Sequence, residues 1–177
     1  MSNESREEIV WQGDWIVAKR QGRWEYVSRA RNIRAAVILA VEDDHVLLVE
    51  QHRVPLGRAC IELPAGLIGD DSEGEDSLSA AGRELEEETG YRAAELVDAG
   101  EFQSSPGMVS ESFTLVIARG LAKVGDGGGV EGEDIIVHRV ALSKIAEFIA
   151  AQRAAGKAID VRIAILLADR LLKVASA

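Results

Sequence analysis

Cysteine is nearly absent from this chain. Cys60 stands alone among 177 residues, so no intrachain disulfide forms, and a small buried apolar residue is a better reading of it than a catalytic thiol. Basic side chains are outnumbered, 20 Lys and Arg against 30 Asp and Glu, for a formal charge of -10 and an isoelectric point near 4.8. With no basic stripe to displace phosphate counterions, a nucleic-acid partner is not expected. No apolar run reaches the roughly 18 residues of a membrane span, and the N-terminus is polar rather than signal-like, so the expectation is a cytoplasmic protein with no membrane partner. The three histidines, His45, His52 and His138, show no metal-ligand spacing. No internal repeat or linker divides the chain. What remains, 47% hydrophobic and 28% charged residues, suffices for one core of ordinary size.

Hydrophobic patterning predicts strands at 15–19 and 23–28 around the Gln21-Gly22 turn, with the alternation and aromatic content of a hairpin. Further strands are expected at 34–41, 46–51, 60–63, 96–102, 113–118 and 135–140. Residues 125–129 read as a flexible glycine loop, 143–154 as a helix capped by Ser143, and 159–174 as a helix apolar around much of its circumference. This order predicts an α/β protein, a mixed sheet with helices on its faces.

The densest chemistry lies in Arg83-Glu84-Leu85-Glu86-Glu87-Glu88-Thr89-Gly90. Asp76 or Ser77 is placed to cap a helix over 77–89, Leu78, Ala81 and Leu85 make its buried stripe, and Gly90 suits a left-handed C-terminal cap. Glu84, Glu87 and Glu88 are spaced i, i+3, i+4 and share one face. Like charges so placed repel by a few tenths of a kcal/mol per pair, and a hard divalent cation with oxygen ligands is a fitting partner. A solvated acidic face is the alternative that composition leaves open.

The spacing Gly69, five residues, Glu75, seven residues, Arg83-Glu84-Leu85, one residue, Glu87-Glu88, one residue, Gly90-Tyr91 resembles the Nudix box of nucleoside diphosphate-X hydrolases at every fixed position. The resemblance implies a Nudix-type α/β/α sandwich and two or more Mg2+ ions, with Mn2+ as a possible substitute, held by Glu84, Glu87 and Glu88. It implies that Glu75 and Arg83 orient the box through a salt bridge, and that Gly69 and Gly90 are structural box residues. One departure stands out. Pro64-Ala65-Gly66, the triplet that usually carries the box glycine in the ADP-ribose branch, lies three residues early, which predicts an insertion within 67–74. The Ala65 carbonyl is expected to remain a metal ligand.

Several segments outside the box resemble the ADP-ribose pyrophosphatase branch. Pro106 follows Tyr91 by fifteen residues, and Glu111 follows Pro106 by five, matching that branch's Ser-Pro-Gly-x-x-x-Glu pattern. Glu50-Gln51-His52-Arg53 and Ile61-Glu62-Leu63-Pro64 also resemble it, implying that Arg53 contacts the diphosphate and that Glu62 lies close to substrate. A guanidinium suits that task on physical grounds. Residues 1–33 are expected to form an N-terminal β hairpin extension to a catalytic domain at 34–177. The stretch Trp24-Glu25-Tyr26-Val27-Ser28-Arg29 resembles the segment that exchanges across a homodimer and reaches the partner's substrate site. One of Trp15, Trp24 and Tyr26 is expected to stack on adenine. Val130-Glu131-Gly132-Glu133 resembles the loop with the catalytic glutamate, Glu131 being the better match and Glu133 the reserve, with Glu88 also in the catalytic set. The activity implied is magnesium-dependent hydrolysis of ADP-ribose to AMP and ribose 5-phosphate. The alternatives are another nucleoside diphosphate sugar such as GDP-mannose, a broader diphosphate specificity, or non-catalytic binding of ADP-ribose.

Overall fold

Strict alternation along one strand decides the layering. A computed structural model describes residues 6–68, 76–130 and 132–175. In β4, Arg34–Glu42, Ala36, Ile38 and Ala40 enter one core while Val37, Leu39 and Val41 enter another on the opposite face. β5, His45–Arg53, returns through Asp43 and Asp44, both with positive φ (49° and 57°). Short aspartates tolerate that left-handed geometry in a tight hairpin turn.

Before this pair come β1, Glu8–Gln12, β2, Ile16–Gln21, and β3, Trp24–Arg29, as an antiparallel sheet of order β1-β2-β3. The expected hairpin is therefore three-stranded, because Glu8–Gln12 pairs along β2 across a bulge between Ile9 and Trp11. The main sheet adds β6, Arg58–Glu62, β7, Ala65–Ile68, β8, Tyr91–Gln103, β9, Ser112–Lys123, β10, Ile136–Ala141, and β11, Ala158–Ile159. Its order is β11-β6-β5-β4-β9-β8, with β10 paired to β5 and β7 to β4. The β4–β9 and β11–β6 ladders are parallel and the others antiparallel, so the sheet is mixed as expected.

Helix α1, Ser77–Thr89, covers the first face. Ala80, Ala81 and Leu85, all fully buried, pack on Ile38, Leu47 and Val116. Of the two candidate caps it is Asp76 that serves, accepting from Leu78 N–H (3.0 Å) and Ser79 N–H (3.1 Å), while Gly90 takes the left-handed cap at φ 73°. Helix α2, Ile145–Ala154, covers the second face through Ile145 and Ile149, completing an α/β/α sandwich. Ser143 lies in the 3₁₀ turn Leu142–Lys144 before it and does not cap it through its side chain.

The helix expected over 159–174 does not form as one element. Ala158–Ile159 pairs with β6, the Asp160 N–H donates to Ile61 O (3.0 Å), and the chain continues as a 3₁₀ stretch, Val161–Leu167, before α3, Ala168–Ala175. Ile159 joins the sheet, and the β-branched Val161, Ile163 and Ile165, which crowd an α-helix, follow the Asp160 turn in the 3₁₀ stretch. Ile163 is the fully buried anchor, whereas no residue of α3 is buried. No described helix is long and apolar enough to cross a membrane.

Candidate active site

A cleft of about 840 Å³ opens where β7 and the ends of β5 and β6 meet the 3₁₀ turn after β11. Its volume lies in the usual range of small-molecule sites.

The acidic end is built by α1 against β7. β7 pairs with β4 from Val37↔Ala65 to Arg34↔Ile68, so the sheet holds Ala65 and Gly66 in place; the insertion expected within 67–74 falls mostly outside the described residues. Gly66 lets the Glu84 carboxylate lie against β7: a Cβ on it would lie 1.9 Å from the Glu84 Cδ and would push that side chain aside. Ala65 borders the cleft and its N–H donates to Glu88 Oε2 (3.0 Å). Glu88 is 5% exposed. Burial pushes its carboxyl up to about 8; the Ala65 N–H opposes this, and the charges of Glu84 and Glu133 add to it. Burial likewise raises the Glu84 carboxyl, with Arg83 opposing.

Glu87 departs from the expected trio. Arg83 Nη1 lies 3.0 Å from both Glu84 Oε1 and Glu87 Oε2, which turns Glu87 onto the flank of the helix, outside the cleft lining. Among the described residues no three His, Cys, Asp or Glu side chains are gathered closely enough to hold an ion as they stand. The chemistry of the donors nevertheless fits a hard cation. Glu84 and Glu88 are shielded carboxylates raised first by burial and then by neighbouring carboxylates, Glu87 and Glu133 acting on Glu84, and Glu84 and Glu133 on Glu88; a divalent cation would offset that repulsion. Gly69, Glu75 and Glu131 lie outside the described residues.

Glu133 borders the same cleft, and its Oε2 accepts from Val130 N–H (3.0 Å). The glycine run before it is no loose loop. Gly128 N–H donates to Glu88 O (2.9 Å), Gly129 N–H to Glu87 O (3.0 Å), and Val124 and Gly125 N–H to Gly90 O (2.8 and 3.1 Å). These are carbonyls at the end of α1, which lack helical partners. A Cβ on Gly127 would lie 2.4 Å from Thr89 C, so glycine lets the strap lie flat on the helix end.

At the other end, Arg53 Nε and Nη2 donate to the two oxygens of Glu62 (2.7 and 2.8 Å), a buried carboxylate. Glu111 borders the cleft, held by Arg29 Nε at 2.6 Å. β3 anchors this pair: Val27 N–H donates to Met108 O (3.0 Å), Ser110 N–H to Val27 O (2.9 Å), and the Ser28 and Ser110 hydroxyls meet at 2.7 Å. Pro106 shapes the loop between β8 and β9 and stands outside the lining. So do Trp15 and Trp24, 50% and 57% exposed, which sit beside Arg31 and Arg23 respectively. Tyr26 bonds Glu7 instead of bordering the cleft.

Sequence reasoning missed Arg29, Phe113, Asp160 and Arg162, all of which border the cleft. Arg29 closes the very stretch quoted for its resemblance, and Asp160 and Arg162 are charges inside an apolar run; both were available signals. Cys60 follows the bland reading, its thiol pushed up to about 12 by burial and by Glu62. His138 and Lys157 converge on Glu50 (2.9 and 2.7 Å) outside the cleft.

Over 89 residues the chain is 40% identical to the ADP-ribose pyrophosphatase of Bacillus subtilis, covering 50% of this chain and 46% of that protein. Over 101 residues it is 37% identical to the methanol dehydrogenase activator of Bacillus methanolicus, covering 57% and 53%. A mouse ADP-sugar pyrophosphatase is 36% identical over 104 residues, covering 49% and 46%. The chain thus spans about half the length of these curated relatives. A solved structure described as an ADP compounds hydrolase superposes with a TM-score of 0.70 at 22% identity, covering 95% of this chain and 92% of that one, a likeness of fold. The NUDIX domain itself matches residues 30–155, spanning both the carboxylates of α1 and the Arg53–Glu62 pair, and the chain belongs to that family.

Proposed function

We propose that this protein is a divalent-metal-dependent hydrolase that cleaves the diphosphate of ADP-ribose, giving AMP and ribose 5-phosphate. The observation that carries the reading is one cleft bordered by Glu84, Glu88 and Glu133 at one end and Arg53 at the other. The likeness to ADP-ribose pyrophosphatases supports the substrate. Likeness to the mouse ADP-sugar pyrophosphatase favours other ADP-sugars as a second reading.

Glu84, Glu88 and the Ala65 carbonyl would hold two or more Mg2+ or Mn2+ ions, and Glu87 would join them once its carboxylate turned from Arg83 toward the cleft. Such ions, when bound, neutralise diphosphate oxygens and lower the pKa of water. The chain's own groups supply the rest. Glu62 takes Nε and Nη2 of Arg53 and fixes the guanidinium plane, which leaves the Nη1 edge for a phosphate oxygen. Glu131 or Glu133 takes the proton of the attacking water; Glu133 is the one whose carboxylate is described in the cleft, held close to Glu88 by the strap on α1. Residues 1–33 act as an extension that joins two copies into a homodimer, a reading supported by the exposed Ile9, Val10, Trp11, Trp15 and Trp24.

The test is a panel of ADP-ribose, other ADP-sugars and GDP-mannose with magnesium, scored by the identity of both products. AMP and ribose 5-phosphate from ADP-ribose ahead of the others is the expected result. No turnover of any diphosphate sugar would refute the reading.

A further inference from the structure

The apolar stretch after α2 carries two charges close together, Asp160 and Arg162, and both border the cleft. Asp160 accepts from the Arg162 backbone N–H (2.8 Å), from Nε (2.6 Å) and from Nη2 (2.8 Å). Its own N–H is held by Ile61 O (3.0 Å), one residue from Glu62. Lys157, at the start of the same segment, is tied to the buried Glu50 at 2.7 Å. Backbone and carboxylate therefore fix the Arg162 guanidinium in place. Its Cζ lies 5.6 Å from the Phe113 ring, and its Nη2 lies 3.7 Å from Glu62 Oε2. That carboxylate also takes Arg53, so Glu62 stands between two cleft-bordering guanidinia.

A purely structural ion pair explains this poorly. Asp160 and Arg162 are two residues apart, so their bond ties together no distant parts of the chain; what it does fix is the orientation of a planar, permanently charged donor. Charge distribution points the same way. Arg53 and Arg162 balance Glu62 and Asp160, while the α1 end of the cleft gathers Glu84, Glu88 and Glu133. An anionic ligand drawn toward that end is held only where cationic donors face it. Two guanidinia on one shared carboxylate match the two phosphoryl groups of a diphosphate, each able to receive a forked donor.

We propose that Arg162 is a second diphosphate-binding guanidinium, set beside Arg53 by Glu62 and oriented by Asp160 as a positioning residue. Glu62 is then a buried spacer between the two arginines and not itself a substrate contact. The proposal rests on the reading of the chain as a hydrolase of nucleoside diphosphate derivatives.

The test compares ADP with adenosine by calorimetry on the full chain in magnesium buffer, because the difference isolates the phosphates. Wild type is expected to bind ADP more tightly than adenosine. Arg162→Gln shrinks that advantage by roughly ten- to a hundredfold and leaves adenosine affinity unchanged. Arg162→Lys, which keeps charge without the fork, recovers part of it. Asp160→Asn still caps the turn, loosens Arg162, and gives a smaller loss in the same direction; it carries the test should Arg162→Gln unfold, as read from its thermal midpoint. A full ADP advantage in Arg162→Gln, an equal loss of ADP and adenosine, or no ADP advantage in wild type would overturn the proposal. ADP-ribose turnover by wild type is scored separately, so failure of the assigned activity is told apart from failure of the Arg162 assignment.

Discussion

The strap of glycines on the end of α1 makes a quantitative prediction. Gly127→Ala places a Cβ 2.4 Å from Thr89 C and 2.7 Å from Glu88 O, at a residue with φ 70°. Both atoms are backbone, so the strap must lift rather than a side chain turn aside. A left-handed alanine costs about 1 kcal/mol. Lifting the strap breaks the Gly128–Glu88 and Gly129–Glu87 hydrogen bonds, at about 1 kcal/mol each. The sum is about 3 kcal/mol, a fall of roughly 6–12 °C in Tm for a chain of this size. Gly132→Ala is the control: its φ is 95°, but an added Cβ meets nothing within 4 Å, so only the backbone penalty applies. That predicts a fall of about 2–4 °C. Thermal unfolding of both variants, with kcat measured beside it, decides the matter. Because the strap leads to Glu133, kcat falls in Gly127→Ala more than KM rises. Equal losses of Tm in the two variants would show that the strap is not docked on the helix.

Glu88→Gln abolishes metal-dependent turnover yet raises the Tm of the protein in chelator, since it removes a buried carboxylate that faces Glu84 and Glu133; unchanged turnover would remove Glu88 from the site. The Cys60 thiol, pushed up to about 12, resists a thiol-reactive disulfide reagent at pH 8 in the folded protein and reacts once denaturant is added. The folded chain keeps a proton there that the unfolded chain releases near pH 8.5, so this stabilisation is complete below that pH and declines as pH climbs toward 12. Labelling of the folded protein at the rate of a free cysteine would contradict it. Burial acts to raise the Glu50 carboxyl, but the hydrogen bonds from Lys157 and His138 outweigh it and hold the carboxyl low. Its contribution is present above the ordinary glutamate pKa of about 4.3 and is lost as pH falls below it. Glu50→Gln therefore costs about 3 kcal/mol near pH 7 and flattens the acid limb of the stability profile; an unchanged limb would count against the triad.

Most of the sheet and α1 were legible because period and caps agree there. Residues 34–41 and 46–51 are runs rich in Val, Ile and Leu about an acidic turn, Asp76 and Gly90 bracket a helix with one buried stripe, and tertiary packing asked for nothing that local preference opposed. The 159–174 segment failed for the opposite reason. Its apolar content satisfied a helical pattern, but strand pairing with β6 and the Asp160 turn are contacts to residues about a hundred positions away, which no local window contains. Glu8–Gln12 was invisible in the same sense, since five exposed residues become a strand only because β2 offers an edge. At the site, the i, i+4 spacing of Glu84 and Glu88 puts both on one helix face, and both border the cleft. It could not show that Arg83 would claim Glu87, nor that Arg162 would arrive beside Glu62, because both depend on where side chains come to rest.

The position of the carboxylates on α1 has a physical cost that the surrounding chain meets in a particular way. Glu87 and Glu88 occupy the last turn, where the helix dipole is negative and no basic residue stands. Anions there are unfavourable twice over, through the dipole and through each other. Arg83 meets part of this cost by pairing with Glu84 and Glu87, and backbone meets the part at the helix end: N–H groups of Val124, Gly125, Gly128 and Gly129 cover carbonyls of Glu87, Glu88 and Gly90. Neutral dipoles satisfy the helix end without neutralising the carboxylates. A lysine or arginine at the same place would stabilise α1 more, but would pair with the carboxylates and occupy the place of the proposed divalent cation. The strap thus keeps the helix end folded while the cleft stays anionic, and Gly127, Gly128 and Gly129 add no side chain where it crosses the helix end.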